Sequence, residues 1–536
     1  MNKFLKLVMS LTMMCFIYTL HAQAPTLGAT ANFAVFSSNG AVSDTGSALI
    51  TGDVGTNAGL LSGFGNVDGV MHPGPNATTL AAAGSLTVLY NELNAAIANM
   101  PEPAPVLGNG ATYTPGVYSI GQAASINGTM ILDGGGNPNA LFIFKIQGAL
   151  STSANAQVVL INNALACNVF WKVEPTGVTM GTNTIMKGTI VANGAIVLNT
   201  GVNLEGRALS TVGAISVLGA TITKPLGCGA TVLTGPVVPP LNTVSCFALF
   251  TASGAIGNTG VSSVTGDIGF AAIGPVAGFE TSTVNGTIHT TADTTTALAA
   301  TELNVVYTYI TGLPTDIQLL YPAAFGNGLV LTPHTYHLNG ATALTGNVYL
   351  NAQGNPNAVF VIKINGALTT SVGAAVILQN GAQAKNVFWH VTGGSITLNS
   401  NTSFRGTLMG NAAVSLASGV MVEGSVLTTS GAIATSSVNV QMTPGCGVLA
   451  TGSSTIVNLG AKLYPNPFSS VLNVTLDGVD NGSSLKLYNA AGSKVLDVRL
   501  SNKTTSLPIN LPAGVYFYQL TGKNGEQQGG KLISKP

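Results

Sequence analysis

The sequence predicts a mostly β chain: two triangular β-solenoids, each with one long α-helix alongside, then a small C-terminal β-sandwich. Three observations predict it. Motifs in the first half recur about 218 residues later. Inside each copy a shorter period of roughly 18 to 20 residues sets three strand-like runs per repeat. One segment per copy abandons alternation for apolar residues three and four apart.

The duplication comes first. Gly136-Asn137-Pro138-Asn139-Ala140 recurs as Gly354-Asn355-Pro356-Asn357-Ala358, and Asn168-Val169-Phe170-Trp171 as Asn386-Val387-Phe388-Trp389. His72 matches His289, and Thr51-Gly52-Asp53 matches Thr265-Gly266-Asp267. Copy one is placed at residues 26–228 and copy two at 243–446. Residues 229–242 between them hold Pro236, Pro239 and Pro240, which favour an extended, semi-rigid linker.

The short period supplies the solenoid. Val169–Gly188, Thr189–Gly206 and Arg207–Pro225 each carry β-like runs parted by Gly, Asn or Thr turns. One such coil cannot bury its own apolar residues, whereas stacked coils share a core. The helical segments are Ala77–Met100, with Leu80, Ala83, Leu86, Tyr90, Leu93 and Ile97, and Thr291–Thr311, with Leu298, Leu303, Val306 and Ile310. Pro101 and Pro314 follow as stops. After a second linker at 447–461, residues 462–536 change character. Runs Val471–Leu476, Leu485–Tyr488 and Val515–Leu520 suit a small antiparallel sandwich.

Composition narrows the function. The chain is 46% hydrophobic and 7% charged, with 18 basic and 18 acidic residues, so it folds but has no basic surface for nucleic acid or an anionic membrane. Residues 1–22 read as a signal peptide: Lys3 and Lys6 precede an apolar stretch from Leu7 to Leu20, and Ala22-Gln23-Ala24 suits cleavage. The mature protein is expected to be exported and to lack a membrane span. Cys15 leaves with the signal. Of the remaining Cys167, Cys228, Cys246 and Cys446, the pairs Cys167–Cys228 and Cys246–Cys446 keep each bridge inside one copy; buried free thiols are the alternative.

Catalysis is not expected. Parallel β-helix enzymes need clustered carboxylates and bases, and acids are sparse here. Asp53 and Asp267 sit among glycines and read as turn caps. His72 and His289 have no second ligand or base at a motif spacing, so a structural hydrogen bond is expected of them. Trp171 and Trp389 read as core. No metal-site spacing, phosphate loop or nucleophile motif occurs, so no metal or other cofactor is expected.

A helix interrupting the solenoid, the Gly-Asn-Pro-Asn-Ala turn and Asn-Val-Phe-Trp together resemble the microbial ice-binding protein family. So do Leu27-Gly28-Ala29-Thr30-Ala31-Asn32-Phe33-Ala34-Val35 and Asn285-Gly286-Thr287-Ile288-His289. Both copies match nearly end to end, although Lys385 stands where copy one has Cys167. The resemblance implies right-handed β-helices that adsorb ice, with its ordered water, on a flat face. The tail, opening on Leu463-Tyr464-Pro465-Asn466-Pro467-Phe468 and closing on Lys531-Leu532-Ile533-Ser534-Lys535, resembles the C-terminal sorting domain of type IX secretion. That implies a secreted or cell-surface protein, with the type IX machinery as a partner.

The middle run of each coil offers the best grid for water. Its central residue is large and apolar, so its neighbours point outward. The expected ice-binding residues are Ala343, Thr345, Ala367, Thr369, Ser395, Thr397, Ala413 and Ser415 in copy two, with Asn127, Ser151, Thr179 and Ser216 in copy one. Threonine is concentrated in copy two, which is expected to bind the better. A neighbouring face with Ile131, Val159 and Asn203 is the competitor, and an adhesin or matrix protein binding glycan is the alternative function.

Overall fold

The computed structural model describes residues 24–228, 232–443, 461–476, 483–489, 493–522 and 527–535. The expected signal peptide, Cys446 and residues 447–460 lie outside them.

Each copy is a three-sided stack of parallel strands. Copy two is bounded by parallel sheets of nine, eight and eight strands. In copy one the middle sheet has eight strands, and a 13-stranded sheet wraps the other two sides. It is continuous because Ile185–Ala192 and Asn203–Ser210 run through a corner unbroken. Gly188 makes that bend at φ 105°, where an added Cβ would lie 2.6 Å from the Val169 carbonyl oxygen. Inward residues alternate with outward ones along the strands, and every coil adds its inward set to one continuous core. Trp171 stacks on Phe144 at 4.5 Å, and its indole N–H donates to the Lys187 carbonyl at 2.8 Å. Trp389 does likewise to the Arg405 carbonyl at 2.9 Å.

The coils are not stacked in chain order. Phe33–Ser37 pairs with Asn203–Ser210, so the first coils of copy one lie beyond its last. The chain must then travel to the far end of the stack. Helix α1 (Ala77–Ala95) does this in copy one and α2 (Thr294–Gly312) in copy two. Nineteen residues span about 28 Å, which is most of the seven inter-strand steps of about 4.8 Å along that side in copy one and of the eight in copy two.

Helix α1 starts at the expected Ala77 but stops at Ala95, short of Met100, and α2 starts three residues later than expected, at Thr294 instead of Thr291. Asn76 and Asp293 cap them by accepting from the Thr79 and Thr296 amides, at 3.0 and 2.8 Å, and the threonine hydroxyls return the bond. The buried stripe also differs. Thr79, Ala82, Leu86, Leu89 and Leu93 face the sheet in α1, while Leu80 and Ile97 are exposed. In α2 the stripe is Thr296, Ala299, Leu303, Val306 and Ile310, and Leu298 is half exposed. A threonine cap and an alanine at close approach outrank a nearby leucine, because the helix rests on Phe33, Phe36 and Phe170 or on Phe247, Phe250 and Phe388.

The Cys167–Cys228 disulfide is present. The linker lies along copy two: the carbonyls of Leu233 and Thr234 accept from Asn355 Nδ2 and the Val359 amide, at 3.1 and 2.9 Å. The tail is a separate unit of a three-stranded and a four-stranded antiparallel sheet around Phe468, Leu472, Leu485 and Leu520. Its strands Ser483–Asn489 and Gly514–Thr521 cover the expected runs, and Val471–Thr475 stops one residue short of the expected Leu476.

One polar position beneath the helices differs between the copies. In copy one Lys172 donates to Asn94 Oδ1 at 2.9 Å and pairs with Glu174. In copy two His390 takes its place, its ring 4.3 Å from that of Tyr307. Burial, and then the Lys363 charge, push His390 from 6.5 down to about 4. The folded state therefore disfavours a proton that the unfolded chain accepts, so stability is full above pH 6.5 and falls as pH drops toward 4. Urea unfolding across that window is expected to show copy two losing about 3 kcal/mol, and His390→Asn is expected to flatten the loss. Equal pH profiles for parent and variant would remove His390 as the cause.

Candidate functional site

Each solenoid has three sides, and two of them are poor surfaces for a regular lattice. The first is covered by its helix. The third carries ion pairs, Lys187–Glu205 and Arg405–Glu423, each at 2.7 Å. It also carries bulky outward side chains: Ile131 beside Val159 in copy one and Tyr349 beside Ile377 in copy two.

The middle side is different. In copy one the strand register lines up one outward row: Ser62, Ser43, Ser216, Val197, Thr179, Ser151, Ser125 and Val106. In copy two the row is Ala277, Gly257, Ala434, Ser415, Thr397, Thr369 and Ala343. A flanking row two residues back is almost all methyl or hydrogen. It holds Ala41, Ala214, Ala195, Gly177 and Ala149 in copy one, and Ala255, Ala432, Ala413, Ser395 and Ala367 in copy two. No residue in these rows is charged, and none exceeds valine in size. The spacing is about 4.8 Å between coils and about 7 Å between rows.

The expected residues all point outward on this side, but they do not form a single pair of rows. Thr369, Thr397, Ser415, Ser151, Thr179 and Ser216 fall in the central rows, and Ala367, Ser395 and Ala413 in the flanking one. Ala343 belongs beside Thr369 rather than beside Ala367. Thr345 and Asn127 stand one row further on, opposite Gly326 and Gly108. The reason is a two-residue slip: Leu344 pairs with the buried Thr370, not with Leu368. Because side chains alternate, such a slip keeps every residue on its own side and leaves no trace in the apolar pattern.

Ser43 and Ser62 were not anticipated. They enter the row because the first coils stack beyond the last, a discontinuity that local periodicity does not carry. With them copy one presents Ser62, Ser43, Ser216, Thr179, Ser151 and Ser125, whereas copy two presents Ser415, Thr397 and Thr369. Copy two keeps the adjacent threonine pair, but copy one has the longer hydroxyl row.

The other singled-out residues are structural. Asp53 opens a strand instead of capping its own turn. Its Oδ1 accepts from the Val70 amide of the next coil at 2.9 Å, and Oδ2 lies 3.3 Å from His72 Nε2. Asp267 accepts from the Thr287 amide at 2.7 Å, and His289 Nδ1 meets the helix cap Asp293 at 2.6 Å. Among the described residues no group of three or more His, Cys, Asp or Glu could hold a metal ion, and no helix is long and apolar enough to cross a membrane.

Comparison with known proteins agrees with this geometry. Residues 36–223 and 250–441 match the Ice-binding-like family, and residues 462–535 match the secretion system C-terminal sorting domain. An ice-binding protein of Nostoc sp. (strain HG1) is 37% identical over 213 residues, covering 38% of this chain and 77% of that one. Ice-binding protein 1 of Shewanella frigidimarina (strain NCIMB 400) is 31% identical over 238 residues, 38% of this chain but only 26% of that longer protein. The crystal structure of an ice binding protein from an Antarctic bacterium, Flavobacteriaceae, superposes with a TM-score of 0.76 at 59% identity, covering 80% of this chain and 100% of that one.

Buried hydroxyl pairs stiffen the corner beside the middle side. Thr152 and Thr184 meet at 2.6 Å, and Thr370 and Thr402 at 2.8 Å. Thr370 Oγ1 also accepts from the Asn399 amide at 2.8 Å. Thr370→Val keeps the shape and strands the Asn399 amide, while Thr402 keeps its bond to the Asn399 carbonyl, so chemical denaturation is expected to show a loss of about 1–3 kcal/mol. A neutral outcome would mean the pair contributes nothing beyond packing.

Proposed function

The chain belongs to the Ice-binding-like family, and on that premise we propose that it adsorbs to ice through the middle sides of its two solenoids, thereby inhibiting ice growth and recrystallisation. One observation carries the choice of surface. Of the three sides, only the middle one is uncovered, uncharged and ruled into straight rows of small residues.

The rows do two things to water. Hydroxyls of Ser151, Thr179, Thr369, Thr397 and Ser415 donate and accept in fixed directions at fixed intervals. The methyls of Ala195, Ala214, Ala413 and the threonines fill the gaps without competing for hydrogen bonds. A first water layer held on such a grid is ordered before ice arrives, and the layer merges with the crystal. Many such contacts acting together hold the protein in place, so ice advances only as curved fronts between adsorbed molecules. Curvature raises the free energy of the front and lowers the local freezing point.

Catalysis is no part of this reading, since the surface offers neither clustered carboxylates nor a nucleophile beside a base. The tail is a secretion sorting domain, and the protein is secreted or displayed at the cell surface. We infer that the type IX machinery reads residues 462–535.

The test is crystal shaping and recrystallisation with purified protein at micromolar concentration. Thr369→Tyr with Thr397→Tyr, and separately Ser151→Tyr with Thr179→Tyr, are expected to cut thermal hysteresis several-fold. Ile131→Tyr on the third side is expected to leave it unchanged. Full activity of both folded double variants would remove the middle side, and glycan binding with ordinary ice growth would favour an adhesin.

A further inference from the structure

Two outward residues of copy one are buried against copy two. Val67 points into the core of copy one. Its neighbours Asn66 and Asp68 therefore point outward on the third side, yet they are only 8% and 3% exposed. Copy two covers them. The Asn66 amide forms a two-bonded clasp on the backbone of Tyr321, donating to its carbonyl at 2.8 Å and accepting from its N–H at 2.9 Å. Asp68 accepts from Thr332 Oγ1 at 2.8 Å and lies 2.5 Å from Tyr336 Oη. Leu49, in the adjoining coil, lies against Gly328.

The repeat supplies an internal control. Thr51 pairs with Asp68 as Thr265 pairs with Asn285, so the positions of Asn66 and Asp68 are held in copy two by Thr283 and Asn285, and both are exposed. In turn Tyr336 has a twin in Tyr118, whose hydroxyl donates to Thr114 just as Tyr336 donates to Thr332, at 2.7 and 2.6 Å. The scaffold is common to both copies, and the junction is an addition at one place.

Tyr336 Oη accepts from the Thr332 amide at 2.9 Å, and its own proton faces two acceptors, the Thr332 carbonyl at 2.6 Å and Asp68 Oδ1 at 2.5 Å. Burial raises Asp68 above its ordinary pKa, opposed by the hydrogen bonds from Tyr336 and Thr332 and by the charge of His334.

We propose that Asn66 and Asp68 are positioning residues for adsorption, locking the third side of copy one onto the coil that follows helix α2 in copy two so that both middle sides are carried by one rigid body. The idea rests on the ice-binding reading above. A rigid pair presents its second face without the search that a flexible tether would require. Neither residue touches ice, so the effect acts through geometry.

The test uses the full chain, with small-angle scattering for docking and thermal hysteresis for function. Asn66→Ala with Asp68→Ala is expected to broaden the distance distribution and to lower hysteresis several-fold, with each copy still folded by circular dichroism. Asp68→Asn supplies a donor for Tyr336 and an acceptor for Thr332, so it is expected to restore both readouts. Thr332→Val, on the opposite side of the junction, is expected to weaken docking in the same sense. Unchanged scattering in the double variant would overturn the lock. Broadened scattering with undiminished hysteresis would overturn its role in adsorption. Absence of hysteresis in the parent chain would sink the ice-binding reading itself, and scattering would still report whether the copies dock.

Discussion

The in-register parallel ladder between successive coils is the constraint on which everything else depends. A single coil has too few inward residues to fold alone, and each gains a core only from the coil above and below. Stacking fixes the inter-coil distance near 4.8 Å, and alternation fixes which residues face out. A flat surface of equivalent residues is thus a by-product of burying Ile196, Val178 and Leu150 one above another. The grid and the core are two faces of one ladder. A substitution on the outer row can change what the surface binds while leaving the inner row intact.

The same ladder explains the helices. Placing the opening coils beyond the closing ones leaves the chain at the wrong end to build the rest. A helix is the shortest self-satisfied segment that can return it, because its backbone groups bond internally while it crosses strands that have no free edge to offer. The crossing covers most of one side. Ion pairs such as Lys187–Glu205 and the junction with copy two use another. The middle side is left open because the fold's other needs have been met elsewhere.

Much of this was legible in the sequence, and what was not has identifiable causes. The duplication, the three runs per coil, one helix per copy and the sandwich-like tail follow from periodicity and spacing, while keeping bridges inside one copy only favoured Cys167–Cys228 over free thiols. The outward direction of the middle-run residues follows from alternation alone. Their rows do not. That Thr345 does not lie beside Thr369, nor Asn127 beside Ser151, follows only from the pairing of Leu344 and Ile126, and a two-residue slip is silent in a period-two pattern. Ser43 and Ser62 escaped because chain order is not spatial order. The helix stripes were misread at Leu80 and Leu298, since an apolar count overlooks how close an alanine lets a helix come to a phenylalanine sheet.

The differences between the copies are where duplication has been put to use. Scaffold positions were kept: Trp171 and Trp389 make the same indole bond, and Asn168 and Asn386 both tie down the Gly-Asn-Pro-Asn-Ala turn through Pro138 and Pro356. Changes gather where a position meets something outside its own coil stack. Lys172 and His390 meet different helix undersides, and Asn66 and Asp68 meet the other copy where Thr283 and Asn285 meet solvent. The central rows diverge as well, serine-rich in one copy and threonine-paired in the other. A ladder tolerates such divergence because outward residues contribute little to the core they flank. Two surfaces on one rigid scaffold can therefore drift apart in their fit to ice while the coils beneath them stay the same.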